Sequence, residues 1–108
     1  MKIDILGTEW EIKFQKRKHM PDGTDGYCDR TVKVICVLEN NDDSQFENYE
    51  EYKKSVVRHE IIHAFLIESG LDCNWQHAQQ FGHDETMIDW IAMQFTKLQK
   101  AFEVAGAL

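Results

Sequence analysis

The 108-residue chain contains no apolar run approaching the roughly 18 residues a membrane-spanning helix needs, so a transmembrane segment is not expected. Proline occurs once and there is no low-complexity tract or internal repeat, which excludes wholesale disorder and repeat architectures. Cysteine is sparse: Cys28, Cys36 and Cys73 are an odd number with no C-x-x-C pair. They frame neither a disulfide scaffold nor a four-thiolate zinc site, and a reducing, cytoplasmic setting is the simplest expectation. Positive charge is also scarce. Twelve Lys and Arg stand against nineteen Asp and Glu, for a net charge of −7, and Lys16-Arg17-Lys18 is the single short basic cluster, read as a solvated strand end. Phosphate backbones and anionic lipid are repelled on average, so neither nucleic acid nor a membrane surface is an expected partner. Asp4 interrupts the first apolar residues, where a signal peptide needs an unbroken stretch, so no export signal is expected.

With 43% hydrophobic residues, residues 1–108 are expected to form one domain that buries roughly two-thirds of the surface of its unfolded chain. A strand-like first third precedes a helical remainder, which predicts an α+β fold. Ile3, Ile5, Trp10, Ile12 and Phe14 alternate with polar residues on either side of Gly7-Thr8, the pattern of a hairpin with one buried face. Pro21, Gly23 and Gly26 mark a turn-rich stretch. One longer strand is expected from Tyr27 to Leu38, with Val32, Val34, Cys36 and Leu38 on one side and Lys33, Ile35 and Val37 on the other, so that both faces of its second half are covered. Ser44 and Glu47 suggest a capping box for a helix running to Ser69, with a break near Tyr49 to Lys54 allowed, and Gly70 with Leu71 a C-terminal stop. A second helix is expected from about Asp84, burying a stripe of Ile88, Ile91, Ala92, Phe95, Leu98 and Phe102.

The stretch that carries chemistry is His59-Glu60-Ile61-Ile62-His63, an H-E-x-x-H inside the first helix. Residues four apart on a helix stack on one face with Cβ atoms about 5 to 6 Å apart, the separation at which two imidazoles can share one tetrahedral Zn²⁺. Glu60 sits beside that face, placed to accept a proton from a water that the metal acidifies to a pKa of about 7. Five His and ten Glu would give the motif by accident in about 2% of shuffled chains, so its presence is informative. Apolar Val56, Val57, Ile61, Ile62, Phe65 and Leu66 surround it, which predicts a central helix. Two imidazoles and a third ligand suit zinc better than calcium or magnesium, which prefer oxygen shells.

A third protein ligand is needed, and His77, His83 and Glu85 are candidates. Glu85 is supported by Asp89 four residues on, on the same side of the second helix, where it can accept the free ring N–H of a histidine ligand. His59-Glu60-x-x-His63 followed by Glu85-x-x-x-Asp89 resembles the gluzincin arrangement of thermolysin-like metallopeptidases. The stretch from Arg58 to Phe95 also looks like small prophage-type metallopeptidases distantly related to the ImmA/IrrE-like group. That resemblance covers the last half of the chain closely and the first half only as a general match to a minimal zincin domain. It implies a short sheet packed on the H-E-x-x-H helix with an edge strand lining the cleft, zinc on His59, His63 and Glu85, Glu60 as general base, and Asp89 supporting a histidine. His77-Ala-Gln-Gln-Phe81 is similar to the H-G-x-x-F segment of SprT-like proteases, with Ala78 in place of Gly, and in that arrangement His77 is the third ligand.

Tyr27, Tyr49, Tyr52, His77 and His83 are candidate oxyanion donors that spacing does not separate. Trp75 and Trp90 are expected to wall the core beside the metal helix, with Trp90, next to Asp89, alternatively shaping a substrate pocket, and Cys73 is a remote candidate ligand. The leading expectation is a cytoplasmic zinc peptidase acting on a protein or peptide substrate. The alternative is a non-catalytic, zinc-stabilised interaction domain in which the metal staples two helices.

Overall fold

The computed structural model describes residues 1–40, 46–70, 72, 84–106 and 108, with the side chains of Ala101 and Phe102 excepted. The fold is α+β: a four-stranded mixed sheet and two helices. Strands β1 (Lys2–Ile5) and β2 (Thr8–Gln15) form the expected antiparallel hairpin, with Ile5 opposite Thr8 and Ile3 opposite Trp10. Leu6 and Gly7 both have positive φ, the signature of the two-residue turns whose twist matches that of the strands they join. Phe14 departs from the expected buried set. It is 39% exposed, with the Lys53 ammonium 5.5 Å from its ring centre.

The single strand expected from Tyr27 to Leu38 is instead two, β3 (Gly26–Asp29) and β4 (Val34–Leu38), paired antiparallel. Two local devices make the turn between them. Asp29 accepts hydrogen bonds from the Thr31 backbone N–H at 2.9 Å and hydroxyl at 2.5 Å, and Lys33 takes a left-handed φ of 58°. Val32, expected on a strand face, is exposed in this turn. Strand β4 also pairs parallel with β2, giving the order β1-β2-β4-β3 with β3 at an edge. Both faces of β4 are covered, as its apolar run implies. Ile35 and Val37 join Ile5, Trp10 and Ile12 against Ala64, while Cys36 and Leu38 pack with Met20 on the other side.

Helix α1 (Tyr49–Ser69) starts later than expected. Its N-cap is Asn48, whose side chain accepts from the Glu51 N–H at 3.3 Å, and Ser44 lies outside the described residues. Glu50 and Glu51 in the first turn complement the helix dipole, and Gly70, with φ 80°, closes the last turn as expected. Ala64 is fully buried, so the helix backbone approaches the sheet closely, and Val56, Val57, Ile61 and Ile67 pack around it; Phe65 is exposed. Glu68 ties the far end of α1 to the sheet by accepting from Trp10 Nε1 at 2.8 Å and Thr8 Oγ1 at 3.1 Å and pairing with Lys33 at 2.8 Å.

Helix α2 (Glu85–Val104) is capped by Asp84, which accepts from the Thr86 N–H at 2.8 Å. It lies on α1 through Ile88 and Ala92, both buried, and the Arg58 Nε–H donates to the Ala92 carbonyl at 2.5 Å. The expected stripe is narrower than drawn: Ile91 and Leu98 are half-buried and Phe95 is exposed. Trp90, expected to wall the core, is 55% exposed, because it projects from the side of α2 away from Ile88 and Ala92. Leu71, Trp75 and Cys73 lie outside the described residues, as does the Phe102 side chain.

Candidate metal centre

Helical spacing alone brings His59 and His63 together. One turn apart on α1, their Nε2 atoms are 2.9 Å from each other. The capped first turn of α2 then carries Glu85 across, with Oε2 at 3.2 Å from His59 Nε2 and Oε1 at 3.1 Å from His63 Nε2. One turn further on, Asp89 Oδ1 lies 2.5 Å from His59 Nδ1. Four of the residues named from the sequence thus meet at one point between the two helices. His77, His83 and Cys73 lie outside the described residues.

The donor set fits a small divalent cation. The Asp89 carboxylate can only accept, so it assigns the ring proton of neutral His59 to Nδ1 and leaves a lone pair on Nε2. That lone pair faces a carboxylate oxygen of Glu85 and the second imidazole, an arrangement of acceptors that needs a cation or extra protons between them. The three ligand-atom separations, 2.9, 3.1 and 3.2 Å, approach the roughly 3.3 Å edge of a tetrahedron with metal–nitrogen bonds of about 2.0 Å. Among the described residues these three form a group able to hold a metal ion.

Glu60 stands beside this triangle. Its Oε1 is 4.0 Å from His59 Nε2, and the residue is 6% exposed. Burial pushes its carboxyl above the ordinary range; His59 and a hydrogen bond from Cys28 pull it back, while the charges of Glu85 and Asp89 add to the rise. Two open cavities meet at Gly26, His59 and Glu60. One, of about 710 Å³, extends past Phe46, Tyr52, Val56 and Met93; the other, of about 340 Å³, extends past Tyr27, Arg30 and Ile67.

Of the tyrosines named as oxyanion donors, Tyr49 and Tyr52 have partners elsewhere. Tyr49 donates to the Leu38 carbonyl at 2.8 Å, and Tyr52 donates to Asp25 at 2.8 Å and is pushed up to about 12 by burial and that carboxylate, while Tyr27 packs on the Met20, Cys36 and Leu38 cluster and lines the smaller cavity. Sequence reasoning missed Gly26 and Cys28, the β3 residues that touch Glu60. They lie more than thirty positions from it, and no periodicity links them.

Comparison with known proteins finds no matching family model and no match among curated proteins or solved structures.

Proposed function

We propose that this chain is a zinc-dependent peptidase with a gluzincin-like site on a minimal zincin-like α+β domain. His59, His63 and Glu85 hold the metal, Glu60 is the general base, and Asp89 fixes the tautomer of His59. The observation that carries the reading is the division of labour among the carboxylates: Glu85 faces both imidazole lone pairs, Asp89 holds the far ring nitrogen, and Glu60 stays outside the triangle, facing the open cavities. Bound zinc supplies Lewis acidity toward a carbonyl oxygen and a water molecule. Glu60, held at a raised proton affinity, accepts the proton of the attacking water through Oε1 and passes it to the leaving amine. The cleft walled by Phe46, Tyr52, Val56 and Met93 receives the substrate, a protein or peptide.

A second reading, a zinc-stapled interaction domain without catalysis, is favoured by the origin of the ligands: two come from α1 and one from α2, so a metal would pin the helices together. Metal analysis and zinc titration test the shared premise. One zinc per chain is expected, with Glu85→Ala weakening binding far more than His77→Ala; the opposite ranking would make His77 the third ligand. Chelator-sensitive cleavage of unfolded protein separates the peptidase from the staple.

A further inference from the structure

Strand β3 reaches Glu60 with two residues on the same face, and neither has a part in holding a metal. At Gly26 the backbone passes so close to α1 that an added Cβ would lie 2.7 Å from Val56 Cγ1 and 3.1 Å from both Cγ and Oε1 of Glu60. Two residues on, Cys28 Sγ lies 3.4 Å from Glu60 Oε2 and 3.1 Å from the Glu60 backbone carbonyl. We propose that β3 is the seat of the general base: Cys28 is a positioning residue whose thiol donates to Glu60 Oε2, and the absent side chain at Gly26 leaves the room in which Oε1 faces the metal site. The inference rests on the reading of Glu60 as general base.

Three features support a thiol in this role. A carboxylate is a stronger acceptor than a backbone carbonyl that already accepts within a helix, so the thiol proton is drawn to Oε2. Burial and the Glu60 charge push the Cys28 thiol far up, so it stays protonated and remains a donor. A hydrogen bond at Oε2 lowers the basicity of that oxygen and leaves Oε1, the oxygen beside His59, the better proton acceptor. The thiol therefore selects which oxygen acts and limits rotation of the carboxylate, the kind of support that holds a reacting group in register.

Infrared spectroscopy of the Cys28 S–H stretch, isolated by subtracting the spectrum of Cys28→Ala at mildly alkaline pH, tests the contact without a substrate. A strongly hydrogen-bonded band is expected in the parent chain, moving to higher wavenumber in Glu60→Gln, whose amide is a weaker acceptor. A band at the same position in both would overturn the proposal. In the zinc-loaded chain acting on unstructured casein, Cys28→Ala is expected to lower kcat by about 10-fold with KM and zinc content little changed, and Cys28→Ser to restore most of the loss. Equal losses in the serine and alanine variants, or no loss in either, would overturn it as well. A parent chain that cleaves no casein contradicts the peptidase reading instead, and the infrared band still decides whether Cys28 holds Glu60.

Discussion

The sheet with α1, and α2 by contrast, are held by different physics. In the first, Trp10, Ile35, Val37, Leu38 and Ala64 are fully buried, and Glu68 clamps helix to sheet through three partners. In α2, Ile88 and Ala92 are the buried side chains among the described residues, while Met87, Trp90, Met93 and Phe95 are exposed. Yet α2 supplies Glu85 and Asp89. Apolar burial thus builds the half of the site that carries the histidines and Glu60, whereas the other half is joined to it mainly by polar contacts: Arg58 to the Ala92 carbonyl, and the carboxylates to the imidazoles. A metal ion would strengthen the weaker junction.

The largest effect should come from the apolar body. Trp10→Ala removes a fully buried indole and its bond to Glu68, and should cost about 3–5 kcal/mol, with or without zinc, read by chemical denaturation. Next, zinc at about 100 times its Kd should add about 2.7 kcal/mol. Hydrogen exchange should locate that gain. Chelation is expected to lower the protection of Ile88 to Ala92 amides well before those of β2 and β4, and a uniform loss would mean that the two regions are not distinct.

The same contrast explains what was legible from sequence. His59 and His63, and Glu85 and Asp89, are pairs within single helices, so their spacing fixes their relative placement before any tertiary contact is known. The hairpin was equally local. The turn splitting Tyr27 to Leu38 was hidden because Thr31 and Val32 are β-branched and Lys33 enters the left-handed region without being glycine or asparagine. The one local signal was Asp29 two residues before Thr31, a spacing at which a carboxylate can close a turn on its own backbone. Phe14 and Phe95 fit their apolar periodicities and are nevertheless exposed, since periodicity does not reveal where the opposing layer ends. The seat of Glu60 on Gly26 and Cys28 depends on β3 lying at the sheet edge beside α1, a placement set by the crossover and not by any local pattern.

The smallest stability effect probes the clamp. Lys33 first, then Trp10, hold the Glu68 carboxyl below its ordinary range. Its folded pKa is therefore lower than its unfolded one, so its stabilisation is present above the ordinary carboxylate range and is lost as pH falls through the depressed value. Glu68→Gln should lower Tm modestly at neutral pH, and the difference from the parent should shrink in acid. A gap that widens on acidification would show that Glu68 does not act as an ionised clamp.

The peptidase reading turns on Glu60 being a base beside the metal site and not a ligand within it. Side-by-side measurement of zinc content and peptide cleavage in the parent and Glu60→Gln chains tests it most directly, because the substitution keeps size and polarity but removes the ability to accept a proton at neutral pH. Unchanged zinc stoichiometry with cleavage reduced by roughly 100-fold or more is the expected result. Undiminished cleavage by zinc-replete Glu60→Gln would show that Glu60 is not the base.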